Sequence, residues 1–86
     1  MNPLLKVRVI TPKSSLFEGE ATSVSSINSQ GKFDILGQHA NFITLIENQE
    51  IQIVLIDKQV LKYRFSRAIV YNFQNTVSIY AEPLTI

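Results

Sequence analysis

The sequence predicts an all-β protein, a two-sheet antiparallel β-sandwich in which residues 1–86 form one domain. Three observations carry that expectation. Ile, Val and Thr occur 11, 7 and 5 times beside eight aromatic residues, and such branched or flat side chains suit a pleated, half-buried surface. Several segments alternate apolar and polar residues with the two-residue period of a strand. Turn-forming residues interrupt the chain at intervals of about ten residues, as in sandwiches and barrels of short strands.

The elements follow in order. In LKVRVI, Leu5, Val7 and Val9 share one face while Lys6 and Arg8 share the other. TPKSS ends this strand, because Pro12 has no N–H to give to a ladder. LFEG (Leu16–Gly19) leads into a polar strand, which the loop NSQG (Asn28–Gly31) closes. Ser15 and Glu18 match a helix capping box, but Gly19 and polar residues follow where a helix needs apolar ones, so none is expected. In NFITLIENQE, Phe42, Leu45, Ile46 and Gln49 fall at helical spacing, yet the branched Ile43, Thr44 and Ile46 favour a strand. IQIV (Ile51–Val54) is another strand, and DKQ (Asp57–Gln59) reads as a tight hairpin. LKYRFS sets Leu61, Tyr63 and Phe65 against Lys62, Arg64 and Ser66. A second hairpin at Gln74–Asn75 precedes VSIYA, where Val77, Ile79 and Ala81 oppose Ser78 and Tyr80. Pairing is expected to stop at Pro83.

Composition restricts the function. A chain of 86 residues buries about 60–65% of its unfolded surface, so its core is thin and a partner could add to it. Eight basic and seven acidic residues give a net charge of +1, without the basic stripe that a nucleic-acid footprint requires. The absence of cysteine excludes disulfides, thiolate zinc sites and cysteine nucleophiles. MNPLLKVRVI lacks the plan of a secretory signal, and apolar runs such as Ile53–Ile56 fall far short of the ~20 residues that span a bilayer. A soluble domain is expected.

Catalysis finds little support. His39 is the one imidazole, with Asp34 as its nearest orienting group and no nucleophile motif beside them. Zinc would need further ligands that the chain does not offer, so no metal and no cofactor are expected. Gly31 and Gly37 form no phosphate-binding fingerprint and read as backbone devices. Glu18, Glu20, Glu47, Glu50 and Asp57 read as solvated charges at turns and strand ends. The residues alone point to a non-catalytic domain that binds another protein. A free-standing module for protein or carbohydrate is the alternative, with Tyr71, Phe73 and Tyr80 as its exposed aromatic cluster.

The order of features narrows this. LFEG, a polar strand, GKFDILGQHANFIT and then IQIV together resemble the N-terminal β-sandwich of the epsilon subunit of F-type ATP synthases. Phe17 and Gly19 match its first element, Gly31, Phe33, Ile35, His39, Ala40 and Thr44 its second, and Ile51 and Ile53 its third. The resemblance runs from about Leu4 to Ala81. It departs where Asp34 replaces a glycine, where Gly37-Gln38 replaces Pro-Gly or Pro-Asn, where Glu47-Asn48-Gln49 replaces a turn that normally contains glycine, and where Arg67-Ala68 replaces a Gly-Gly pair. The family typically adds a C-terminal helical hairpin that can inhibit ATP hydrolysis; this chain stops where it would begin.

The resemblance implies a rotor subunit of the central stalk that performs no chemistry and couples the gamma subunit to the c-ring during ATP synthesis. It places Lys32, Gln38 and His39 against the c-ring loops and Thr11 towards gamma, with Gly31, Asp34 and Gly37 shaping the loop. It further implies a domain peripheral to a membrane through its partners only, on the cytoplasmic face of a bacterial inner membrane or inside an organelle.

Overall fold

A computed structural model describes residues 4–38 and 40–82, and among them every regular element is a strand. In chain order these are β1 (Leu5–Ile10), β2 (Ser15–Asn28), β3 (Gly31–Leu36), β4 (Phe42–Glu47), β5 (Glu50–Leu55), β6 (Val60–Arg64), β7 (Arg67–Phe73) and β8 (Thr76–Glu82). The ambiguous NFITLI segment is therefore a strand. The described residues contain no helix long and apolar enough to cross a membrane.

The hydrogen-bonded path runs β4-β7-β8-β1-β2-β5-β6, with β3 also paired to β2. All pairs are antiparallel except β1 with β8. β2 joins two leaves. Its residues 15–21 pair with β1, whereas residues 21–25 pair with β5 and residues 23–28 with β3. The first leaf is thus β4-β7-β8-β1 with the start of β2, and the second is β3, the rest of β2, β5 and β6.

The switch lies at a register shift between Ala21 and Ser23. Inward positions before it are Phe17, Gly19 and Ala21, and after it Val24 and Ser26. That step of three instead of two marks one extra residue, a bulge, which bends the strand and re-aims its side chains so both halves face one core. Glu18 and Glu20, expected at strand ends, lie inside this long strand because its outward face is polar.

Alternation then builds the core. Leu5, Val7 and Val9 of β1 meet Val77, Ile79 and Ala81 of β8, with Ala68 and Val70 of β7 beside them. Across from these lie Val24, Ile35, Ile51 and Ile53 of the second leaf, all buried. Each large aliphatic side chain so buried contributes roughly 1.5–3 kcal/mol. Phe33 and Phe42 meet edge to face at 5.7 Å, tying β3 to β4, and Asn28 Nδ2 donates to Thr44 Oγ1 at 3.0 Å between β2 and β4.

Turns sit where the sequence places them. β2 and β3 are joined by Ser29-Gln30, where Asn28 Oδ1 accepts from Gln30 N at 2.9 Å and Gly31 takes φ 120°, a conformation side chains disfavour. Gln74 and Asn75 both have positive φ, 49° and 64°, the pattern of a type I′ hairpin. The β5–β6 connection is longer than the expected tight turn. It takes four residues, 56–59, with Lys58 at φ 71° and Asp57 Oδ1 accepting from Gln59 N.

Candidate protein interface

Register decides which side chains face outward together. On the first leaf, Leu45 of β4 pairs with Ile69 of β7, Ile69 with Tyr80 of β8, and Tyr80 with Ile10 of β1. The next outward row begins Ile43–Tyr71, and Phe73 follows Tyr71 on the same face. Ile43, Leu45, Ile69, Tyr71, Phe73 and Tyr80 are each 40–63% exposed, and they are neighbours. Scattered apolar residues on a surface are ordinary; a contiguous patch of large ones marks a docking site. The rings of Tyr71 and Phe73 stand parallel, 6.3 Å apart, forming a ridge.

Charge frames this face. At one end, Glu47, Arg67 and Glu82 pair in register, and Arg67 Nη2 meets Glu82 Oε2 at 3.2 Å. The bridge is exposed and adds little stability. On the far side, β1 and β2 place Lys6 opposite Glu20 and Arg8 opposite Glu18. Arg8 Nη2 donates to Ser78 Oγ at 3.2 Å, which holds the guanidinium along β8.

The residues singled out from the sequence occupy three places. Thr11 is 8% exposed; its Oγ1 accepts from Ser14 N at 3.2 Å and from Lys13 N at 3.3 Å. It builds the β1–β2 turn. Because Ile10 ends the row that starts at Leu45, this turn borders the apolar face. Lys32 lies near the start of β3, paired with Ile27. Gln38 lies past the strand's far end in the left-handed conformation, φ 66°. His39 falls outside the described residues. What reads in sequence as one loop from Gly31 to His39 is thus mostly a strand, because Phe33 and Ile35 alternate into the core. Lys32 and Leu36 are roughly 13 Å apart on it, at about 3.3 Å per residue. Asp34 sits mid-strand and accepts a hydrogen bond from Ser25 Oγ at 2.5 Å, so it pins β3 to β2 rather than shaping a loop.

The residues on either side of position 39, 37–38 and 40–41, are tied to the β7–β8 hairpin and its strand β7. Gln38 N donates to Asn75 Oδ1 at 2.7 Å, and Gln74 N donates to Asn41 Oδ1 at 2.8 Å. From below, the fully buried Asn72 donates Nδ2 to Ala40 O at 3.0 Å. Replacing Asn72 with Ala should cost about 1–3 kcal/mol, since it removes a fully buried side chain together with its hydrogen bond to Ala40 O. The check is a thermal melt, together with faster amide exchange at Gln38; unchanged exchange there would show the loop held by other means.

The face combines aliphatic and aromatic groups, which suits another protein more than a sugar. The sequence singles out Tyr71, Phe73 and Tyr80 but not Ile43, Leu45 and Ile69. Their signal was present: NFITLI and RAIVYNF are apolar on both faces, yet a sandwich strand needs only one.

Comparison with known proteins places this geometry. The family described as the ATP synthase delta/epsilon chain beta-sandwich domain matches residues 4–85. An ATP synthase epsilon chain from Sulfurimonas denitrificans is 39% identical over 56 residues, covering 65% of this chain and 43% of that protein. One from Clostridium botulinum is 28% identical over 76 residues, covering 88% of this chain and 57% of its own length. The chain spans about half the length of the curated relatives it matches. A chain from the Euglena gracilis mitochondrial ATP synthase superposes with a TM-score of 0.84 at 11% identity, over 94% of this chain and 52% of that one. One from the Tetrahymena thermophila central stalk and c-ring structure superposes with a TM-score of 0.80, also at 11% identity, over 98% and 67%. At such identity these two matches concern the fold.

Proposed function

The chain belongs to the ATP synthase delta/epsilon β-sandwich family, and from that premise we propose that it is a non-catalytic rotor part. In this reading it joins the gamma subunit to the loops of the c-ring, so that rotation driven at the membrane reaches the catalytic head. The observation that carries the proposal is the apolar face of β4, β7 and β8, which a domain acting alone would have no reason to leave bare. We assign gamma to that face, with the Thr11 turn along its border. We assign the c-ring loops to Lys32, Gln38 and His39, with Gly31 before Lys32 and Gly37 before Gln38 shaping the chain.

Two partners on two sides require stiffness, and the structure supplies it. The two leaves share β2, so a load on one passes to the other through a continuous backbone and not through a hinge. The core between them is close-packed aliphatic. The domain would be held at the membrane by its partners, on the cytoplasmic face of a bacterial inner membrane or inside an organelle.

The test is co-purification with gamma, followed by ATP-driven proton pumping in membranes stripped of the native subunit and supplied with this chain. Retention on gamma and restored pumping are expected. A chain that folds yet neither binds gamma nor restores pumping would contradict the reading.

A further inference from the structure

The outward face of the first leaf is not uniform, and its chemistry changes at β8. Register lines up Tyr71 of β7, Ser78 of β8, Arg8 of β1 and Glu18 of β2 across it. The row beside this one is Phe73, Thr76, Lys6 and Glu20. Aromatic side chains therefore stand on one side of β8 and charged ones on the other, with the short Ser78 and Thr76 between them. The dip they leave is an open cleft of about 330 Å³, walled by Tyr71, Phe73 and Tyr80 and bounded on the far side by Arg8. Ser78 lies at its floor, 4% exposed. Arg8 is underused there. Of the five N–H donors of a guanidinium, Nη2 donates to Ser78 Oγ at 3.2 Å, while Nε is buried with no hydrogen-bond partner. Glu18 stands opposite in register, yet among the described residues no carboxylate forms an ion pair with Arg8. A cation half-buried beside aromatic rings has given up part of its water shell and gained no countercharge.

We propose that this cleft receives an acidic side chain, an Asp or Glu of the gamma subunit, whose carboxylate pairs with Arg8. The proposal rests on the rotor reading, with gamma on this face, and names the polar contact that orients it. Apolar burial gives affinity without direction, whereas one charge pair among aromatic side chains fixes the register of the two surfaces. Charge decides the occupant. A carboxylate takes two N–H groups of a guanidinium at once, and the pair strengthens where neighbouring rings exclude water. A free multivalent anion such as phosphate needs a local surplus of cations. Here Lys6 and Arg8 are matched in register by Glu20 and Glu18, so there is no such surplus. A carboxylate carried by a docked protein does not need it, because the rest of the interface holds that carboxylate in place.

The test uses the full chain and purified gamma. Arg8→Gln should weaken gamma binding at least about ten-fold while leaving the thermal melt close to that of the parent. Arg8→Lys keeps the charge and supplies an amine, which a zero-length carbodiimide joins to a carboxylate in contact with it. An amide between position 8 of that variant and an Asp or Glu of gamma is expected, located by mass spectrometry of the digested complex. Should Arg8→Gln fail to fold, the coupling at Arg8→Lys decides alone. Coupling of position 8 only to Glu18, or to any carboxylate of a second copy of this chain, would overturn the proposal. So would Arg8→Gln binding gamma like the parent while Ile69→Asp does not, and the rotor reading would then stand without the charge pair. A folded parent chain that does not bind gamma at all would overturn both.

Discussion

Ile69→Asp should weaken binding to gamma at least about 30-fold while leaving the domain folded. Ile69 sits at the centre of the apolar face, between Leu45 and Tyr80 in register, and is 43% exposed. Its side chain adds little to the core, so the substitution has small reach into stability. In the complex, a carboxylate there would be taken out of water against aliphatic and aromatic neighbours with no partner to receive it. Central anchors of interfaces typically lose 2 kcal/mol or more when disrupted, which corresponds to about 30-fold in Kd. Gln52→Asp on the other leaf is the matching control, because it adds the same charge away from the face assigned to gamma. If both variants bind gamma like the parent chain, the face is not where gamma sits.

The largest stability effect is expected from Ile53→Ala. Ile53 is fully buried in β5, where its leaf faces the first across the core. Loss of three carbons plus the cavity left behind costs about 2–5 kcal/mol. A domain of 86 residues has only about 4–13 kcal/mol in total. The urea midpoint should therefore fall by roughly 1–3 M with an unchanged slope, as for a loss of stability without a change in the denatured state. A shift below about 0.5 M would show that the two leaves collapse onto the vacancy and are not held rigidly apart, which would count against a torque-bearing sandwich.

Much of this architecture is legible in the sequence because a strand's two-residue period writes burial directly into residue order. LKVRVI, LKYRFS and VSIYA each name their inward residues correctly, and Gly31, Gln74 and Asn75 mark turns that their backbone angles confirm. Two things are hidden. The first is β2 as a strand shared between leaves, because a one-residue bulge at Thr22–Ser23 has no composition of its own and only pairing partners reveal it. The second is the character of the Gly31–His39 stretch. Its glycines and polar residues suggest a loop, but Phe33 and Ile35 are held by the core, so Gly31–Leu36 runs as a strand whose two ends are far apart.

Interface residues were half visible for a related reason. Aromatic side chains invite attention, while Ile43, Leu45 and Ile69 look like ordinary strand residues until their direction is known. Only register shows that they point away from the core and lie side by side. The departure at Arg67-Ala68 also becomes intelligible: Ala68 is buried, and Arg67 points outward to Glu82 at the rim of the face.

The account stands on one claim, that the bare face of β4, β7 and β8 is where gamma docks. Methyl cross-saturation in solution tests it most directly, with the chain labelled at its Ile, Leu and Val methyl groups and unlabelled gamma irradiated. The account predicts intensity loss at Ile43, Leu45 and Ile69 and none at Leu36 or Val60. Loss confined to Leu36 and Val60, with the methyl signals of Ile43, Leu45 and Ile69 untouched, would contradict it.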